Sequence, residues 1–193
     1  MSLRKIVVAL SFVMLLLPAS SFAAPLAQTL DTEYVNNGNG SDIAFRIQPP
    51  KGWTFDTRGD SAGFVGNDLA QPAALVFTRE IDEGGKWKDF QKMMRILSGA
   101  QLQQLFKEIV PGWNDPKMKM GKIKTSVKID GKMQGMSVEF IKTEGSFLVY
   151  GKVTLFGKGG YIYSAGTTAI GAKSWKKYKD IMDKSINTLR ILQ

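Results

Sequence analysis

Hydrophobic and polar residues alternate between positions 122 and 168 in a pattern that predicts four β-strands. In segment 122–129 polar and apolar or β-branched residues take turns, in the order Lys-Ile-Lys-Thr-Ser-Val-Lys-Ile. Period-two alternation is typical of a strand with one solvent-facing side. Three further strands are indicated, at 132–143, at 147–156 and in a run that begins at Tyr161. Segment 147–156 is apolar on both faces for most of its length, which predicts a central position.

Short turn sequences separate these four strands. They are Asp130-Gly131, Glu144-Gly145 and Lys158-Gly159-Gly160. Glycine adopts the positive φ angles that tight hairpin turns need. The sequence therefore predicts a hairpin-linked meander, and the other segments are arranged around it.

Three helices are predicted outside the meander. The first has an apolar stripe at spacings of three and four, formed by Trp87, Phe90, Met94 and Leu97. The second begins at Ser98, which with Gln101 forms a capping-box pattern, and carries Leu102, Leu105, Phe106 and Ile109. The third, from Ala172 to Leu189, turns one face inward: Trp175, Tyr178, Ile181, Met182 and Ile186.

Short strands are expected at 43–47, 73–78 and 189–192, whereas 24–41 and 58–68 are rich in polar residues and glycine and predict loops. The fold class predicted is α+β: an antiparallel sheet with a central four-strand meander and helices on both faces, an α/β/α sandwich.

The first 23 residues predict an export signal. Arg4 and Lys5 precede an apolar run at 6–17, and Ser21-Phe22-Ala23 is a small-x-small site, with cleavage expected between Ala23 and Ala24. The run is shorter than the roughly 20 residues of a membrane span, which disfavours an uncleaved anchor, and no Cys follows it for lipid attachment. We expect a periplasmic or secreted protein with a flexible segment at 24–41 and a single domain at 42–193.

The 193 residues include neither Cys nor His. Disulfides, thiol chemistry, Ser-His-Asp and Cys-His sites and the usual zinc ligand sets are therefore excluded. The Asp and Asn spacing at 36–42 does not match a calcium loop, and Gly157 to Gly160 lacks the spacing of a phosphate loop. The sequence therefore predicts no cofactor and no metal.

Charge is uneven along the chain. Residues 24–116 carry nine Lys and Arg against twelve Asp and Glu, whereas residues 117–193 carry fifteen against five. This asymmetry favours an acidic protein or an anionic envelope surface as partner. The candidate partner-binding residues are Trp113, Lys117, Lys119, Lys122, Lys124 and Lys128.

The strand alternation predicts that Lys122, Lys124 and Lys128 share one strand face. The competing interpretation is a solvated edge whose lysines only prevent strand-to-strand aggregation. Nucleic acid is not an expected partner, because the aromatic residues do not interleave with the lysines as stacking platforms do. The oligomeric state stays open.

Two other functions stay open. A secreted hydrolase needs a carboxylate pair, for which Asp82 and Glu83 are adjacent, or a Ser-Lys site, for which Ser126 and Lys128 share the strand. A carrier of a small apolar ligand would use an adaptable methionine-lined cavity between sheet and helix, formed by Met93, Met94, Met118, Met120 and Met136. Methionines more often simply fill a core.

Several short patterns resemble the PsbP-like superfamily, which is named after an extrinsic protein of photosystem II. They are Pro50-Lys-Gly-Trp53 after a strand, the meander, Gly160-Tyr-Ile-Tyr163, and a C-terminal helix bearing Trp175, over about residues 42–192. The superfamily includes a Ran-binding nuclear protein and many exported bacterial proteins. The resemblance implies an α/β/α sandwich and a non-enzymatic accessory or binding role. Plant members are associated with manganese or calcium through His, which this chain lacks.

Overall fold

The structure, a computed structural model, describes residues 29–38, 43–58, 61–81, 89–110, 115–129 and 132–192. Its elements, in chain order, are β1 Tyr34–Asn37, β2 Ala44–Ile47, β3 Thr54–Arg58, β4 Ser61–Val65, β5 Ala73–Ile81, α1 Phe90–Ile96, α2 Gly99–Ile109, β6 Met118–Met120, β7 Lys124–Ile129, β8 Met133–Glu144, β9 Phe147–Lys158, β10 Tyr161–Ile170, α3 Ala172–Asn187 and β11 Arg190–Ile191. Several predictions fall outside the described ranges: the export signal with Ala23 and Ala24, Asp82 and Glu83, Trp87, Trp113, and the Asp130-Gly131 turn.

The predicted meander is confirmed. Within the described ranges eight strands form one antiparallel sheet in the order β3-β4-β5-β10-β9-β8-β6, and β7 also pairs with β8. Strand β9 lies between β8 and β10, which is the central position that its apolar sequence predicted. Gly159 and Gly160 have φ angles of 60° and 80° between the paired ends of β9 and β10, so the turn has the positive φ at both residues that a type I′ hairpin needs.

The loop predicted at 58–68 is wrong for Ser61–Val65, which forms β4 between β3 and β5. A Cβ atom on Gly63 would lie only 2.1 Å from the carbonyl oxygen of Leu75 on β5. Glycine is therefore needed here for close strand approach, although in the sequence it resembled a loop residue.

The loop predicted at 24–41 is wrong for Tyr34–Asn37, which forms β1. Strands β1, β2 and β11 make a second, three-stranded sheet. The Asn36 side-chain amide donates to the Ile43 carbonyl at 2.8 Å, and the Tyr34 ring packs on Phe55 with centroids 4.6 Å apart. The strand exists because β2 pairs with it, and polar composition alone gives no sign of that partner.

The two faces of the large sheet carry separate cores, so the predicted α+β class with helices on both faces is confirmed. One core joins α3 and the small sheet to the large sheet, with Phe45, Ile47, Phe77, Phe156, Ile181 and Met182 among its members. The other lies under α1 and α2 and includes Phe90, Phe106, Phe140 and Leu155. All five methionines considered as a ligand cavity pack in or against this second core.

Helix α1 is held to the sheet by its Gln91 side chain. The Gln91 amide donates to the carbonyls of Gln134 and Gly157 at 2.9 and 3.1 Å and accepts from the Gln134 amide at 2.9 Å. The predicted capping box of α2 is present, since the Ser98 hydroxyl accepts from the Gln101 amide and the Gln101 side chain accepts from the Ser98 amide. The Gln91 bonds hold α1 against β8 and β9, and the capping box determines where α2 begins.

Helix α3 is tied to the β4–β5 loop by Asp68. The Asp68 carboxylate accepts from the Lys177 ammonium at 2.9 Å and from the Tyr178 hydroxyl at 3.3 Å. The hydrogen bond from Lys177 holds the pKa of Asp68 below its ordinary value of 3.8, and the bond to Asp68 raises the pKa of Lys177 above 10.5. Trp53 packs edge-on against Tyr178, with centroids 5.7 Å apart, and completes the cluster.

We expect Asp68→Asn to lower the free energy of unfolding by about 1 kcal/mol at neutral pH, because the pair is partly solvated. A carboxylate with a depressed pKa stabilises the fold above its unfolded-state pKa, and this contribution disappears as the pH falls through the folded-state pKa. The raised Lys177 pKa sets the other limit, above about pH 10.5. Denaturant titrations should therefore show a gap between wild type and variant that is constant near neutrality and closes below about pH 4.

The control for this prediction is Asp89→Asn. Asp89 is exposed at the start of α1 and makes no side-chain capping bond there. If both variants lose the same stability, or if the Asp68→Asn gap persists at pH 2, the assignment of the stabilisation to the Asp68 pair is wrong.

Candidate binding surface

The candidate lysines lie on one edge of the large sheet. Strands β6 and β7 follow one another along the same side of β8, from Met118 opposite Lys142 to Ile129 opposite Met133. Between them the Gly121 amide donates to the Glu139 carbonyl at 2.8 Å, and a Cβ atom on Gly121 would lie 3.1 Å from that oxygen. We call this run, residues 117–129, the basic edge.

All five lysines of the basic edge are exposed: Lys117, Lys119, Lys122, Lys124 and Lys128. Apolar neighbours in the same run are buried, namely Met118, Ile123 and Ile129. None of the five lysines forms a salt bridge with a carboxylate in the described part of the chain. Five ammonium groups therefore remain available to solvent or to a partner.

The strand register corrects the predicted common face for Lys124 and Lys128. Lys124 lies opposite Ser137, and Lys128 lies opposite Gln134. Because Ser137 and Gln134 are three residues apart on β8, they point to opposite faces of the sheet, and their partners do the same. The register shifts by one residue between Lys124 and Val127, and this bulge is the physical reason.

Three of the lysines do share a face, the one that α3 covers. Lys119 lies opposite Ile141, and the backbone carbonyl of Lys117 accepts from the Thr143 amide at 2.9 Å. Ile141 and Thr143 alternate in step with Ser137, the partner of Lys124. The basic edge therefore presents Lys117, Lys119 and Lys124 beside α3, whereas Lys128 points to the face of α1 and α2.

Sequence reasoning missed an ion-pair network next to these lysines. Lys179 donates to Glu139 at 2.7 Å, Lys152 donates to Asp183 at 2.9 Å, and Glu139 lies directly opposite Lys152 on the neighbouring strand. The hydrogen bond to Glu139 raises the pKa of Lys179. Because both carboxylates are already paired within the chain, they do not neutralise the basic edge. The only sign of these ion pairs in the sequence was that a few acidic residues lie among the many lysines of 117–193.

The hydrolase candidates gain no geometric support. Ser126 and Lys128 are both exposed on the edge strand β7. Ser126 lies within the bulge, and Lys128 follows it. Asp82 and Glu83 lie outside the described residues. Among the residues that the structure describes, no group of three or more Asp, Glu, His or Cys is placed to hold a metal ion.

The end of the β8–β9 hairpin carries an apolar pair on the surface. Phe147 and Leu148 begin β9 and are 54% and 45% exposed, whereas Val149 beside them is buried. The predicted cover on both faces, which concerned most of segment 147–156, does not extend to these first two residues. They lie at the hairpin end of two strands that are each 12 residues long.

None of the helices described in the structure is both long enough and apolar enough to cross a bilayer. The comparison with family models gives no match, and no curated protein matches the sequence.

Solved structures do match the fold. Cyanobacterial PsbP (CyanoP) from Synechocystis is 14% identical, with 89% of this chain and 98% of that chain covered and a TM-score of 0.51. The Ran-binding protein Mog1p of Saccharomyces cerevisiae is 9% identical, with coverage of 86% and 97% and a TM-score of 0.51. LpqN of Mycobacterium tuberculosis, described as involved in cell envelope biogenesis, is 11% identical, with coverage of 83% and 90% and a TM-score of 0.50. The chain therefore has a PsbP-like fold, and at these identities the likeness concerns the fold alone.

Proposed function

We propose that this protein is an exported, non-enzymatic accessory protein that binds an acidic partner of the bacterial envelope through its basic edge. The observation that supports this most is the set of five exposed lysines on an edge strand, none paired with a described carboxylate. Complementary charge of this kind steers association and selects partners of opposite sign. The solvated edge remains the competing explanation for the same lysines.

The chemistry of the chain supports a binding role over catalysis. With neither His nor Cys, the common general base and the thiol nucleophile are both missing. Glu139, Asp183 and Asp68 are all engaged in ion pairs with lysines that hold elements together. The fold likeness to CyanoP, LpqN and Mog1p is compatible with this role, since the descriptions of these three proteins name no reaction.

Export is supported by the first 23 residues and, by analogy, by the envelope role of LpqN. We expect the protein recovered from the bacterial envelope fraction to begin at Ala24. N-terminal mass spectrometry of fractionated cells measures this directly. Recovery of the intact Met1 form from the cytoplasm would contradict the proposal.

We expect Lys119→Gln, Lys122→Gln and Lys124→Gln together to abolish capture of an acidic envelope partner, because the substitution removes three charges and no buried group. The measurement is affinity capture from envelope extract at low and high salt, with thermal unfolding as a check on folding. Wild-type capture should weaken as salt rises, since exposed charges are screened.

The matched control removes the same charge elsewhere with Lys51→Gln, Lys92→Gln and Lys132→Gln, all at exposed positions outside the basic edge. It should retain the partner. Equal capture by wild type and the edge variant would leave the lysines with the edge-protecting role only.

A further inference from the structure

We propose that the end of the β8–β9 hairpin is a membrane-contacting tip that inserts Phe147 and Leu148 into the interface of a bilayer containing anionic lipids. This deepens the proposed function and rests on the envelope location assumed there. The tip comprises residues 143–148 with the lysines that surround it.

The tip is apolar on both sides of the ribbon. Phe147 lies opposite Glu144, and Leu148 lies opposite Thr143, so the two side chains point to opposite faces. Both are about half exposed, whereas Val149, the next residue of the strand, is buried. An apolar pair exposed on both faces of a hairpin end suits insertion among lipid headgroups.

Strand pairing and a backbone hydrogen bond to the start of α3 hold the tip in place. Gly145, with φ of 58°, turns the chain between the paired residues Glu144 and Phe147. The Gly171 amide at the start of α3 donates to the Leu148 carbonyl at 2.8 Å, and Val149 pairs with Ile170 of β10. A preorganised tip loses little conformational entropy on binding, so its apolar area contributes more fully to affinity.

Lysines surround the apolar pair. Lys117 lies beside Thr143, which lies opposite Leu148, so two strand spacings place its Cα about 10 Å from that of Leu148. Lys173 follows Gly171 by two residues and is exposed. Lys119 and Lys176 extend the ring along β6 and α3 and are also exposed.

Among the described residues, two carboxylates lie near the tip, and one of them is already paired with a lysine. Lys142 pairs with Glu144 at 2.6 Å, and Asp115 accepts from the Lys117 backbone amide at 2.9 Å. Among the described residues, four exposed lysines without a salt bridge (Lys117, Lys119, Lys173 and Lys176) therefore stand against one carboxylate, Asp115, that no lysine neutralises. This arrangement matches an anionic bilayer interface. The apolar side chains would contact the acyl chains, and the surrounding lysines would contact the negative headgroups.

Because the chain contains no Cys, a single cysteine reports on the tip without interference. Ser146→Cys places an environment-sensitive fluorophore on the exposed turn next to Phe147, and Lys132→Cys places it at the opposite, exposed end of β8. We expect vesicles of phosphatidylcholine with 30% phosphatidylglycerol (about a third anionic lipid) to shift the emission of the tip label to the blue. Phosphatidylcholine vesicles, and the label at 132, should give no shift.

Variants of the full chain separate the contribution of the apolar pair from that of the lysines. Every sample has the same N-terminus. Phe147→Ser with Leu148→Ser should weaken binding to the anionic vesicles about tenfold or more, and Lys117→Gln with Lys173→Gln should weaken it and reduce its salt dependence. The control is Ile96→Ser, since Ile96 is 67% exposed at the end of α1. It should bind as wild type does.

Three results would overturn the inference: no shift of the tip label, equal shifts at 132 and 146, or equal binding to neutral and anionic vesicles. A tip label that responds only to an acidic envelope protein, and not to vesicles, would assign the tip to that partner and also overturn it. If the edge variant loses partner capture while vesicles give no response, the inference fails and the proposed function stands. The label at Ser146→Cys, in a chain that is otherwise wild type, decides the question even if another variant folds poorly.

Discussion

Replacing Phe45 with alanine is expected to lower the free energy of unfolding by about 3–5 kcal/mol, the usual cost of removing a buried phenylalanine. Phe45 is fully buried on β2, and its ring packs against Phe77 of the large sheet with centroids 5.1 Å apart. It is also within 6.4 Å of the Phe55 ring, so it joins the small sheet to the large one. A loss of this size is a large part of the total stability of a domain, which is roughly 5–15 kcal/mol.

The measurement is chemical denaturation followed by intrinsic fluorescence, with Val35→Ala on the neighbouring strand as the control. Val35 is largely exposed, so its truncation should cost well under about 1 kcal/mol. If Phe45→Ala were as stable as Val35→Ala, the small sheet would not be an integral part of the fold. In that case the large sheet and helices would fold without it.

The second large effect is expected for Gly63→Ala, which should destabilise the protein by about 3 kcal/mol, the upper part of the range for overpacking. The added methyl group would lie 2.1 Å from the Leu75 carbonyl oxygen and 3.1 Å from its carbon. Both contacts are with backbone, so no side chain can move aside. Strands β4 and β5 would have to separate locally, and their paired hydrogen bonds would lengthen.

Gly99→Ala is the matched control because it makes the same chemical change where a Cβ atom meets nothing within 4 Å. Gly99 is the first residue of α2, and alanine there should raise stability by a few tenths to about 1 kcal/mol. Two Gly→Ala substitutions should thus move the denaturation midpoint in opposite directions. Shifts of the same sign would show that close approach of β4 and β5 does not determine the effect.

The two proposals also define an orientation. Lys117 belongs to the basic edge and lies beside the hairpin tip, so the two surfaces are continuous at one end of the large sheet. A protein docked on a bilayer through Phe147 and Leu148 would hold the basic edge close to the membrane surface. An acidic partner that reaches the edge would then be one that itself lies near the membrane.

Local sequence signals predicted much of the fold. The capping box at Ser98 and Gln101 needs only residues three apart, and the glycines at 159 and 160 are required by the turn itself. The apolar stripe of α3 and the alternation in the meander likewise follow from one helix face or one strand face. For the candidate surface, the sequence predicted which lysines are exposed, and all five are.

The rest depended on pairing between distant segments. Strand β1 exists because β2 lies beside it, and Gly63 resembles a loop residue until Leu75 is placed 2.1 Å from its missing Cβ. The bulge that separates Lys124 from Lys128 is a property of the β7–β8 register, which alternation along one strand cannot reveal. By itself the sequence determined the order and type of most elements, the exposure of the lysines and the absence of imidazole and thiol chemistry. Only the tertiary structure decided which lysines share a face, which carboxylates are already paired and where apolar side chains reach the surface, because each of these depends on contacts between residues far apart in the chain.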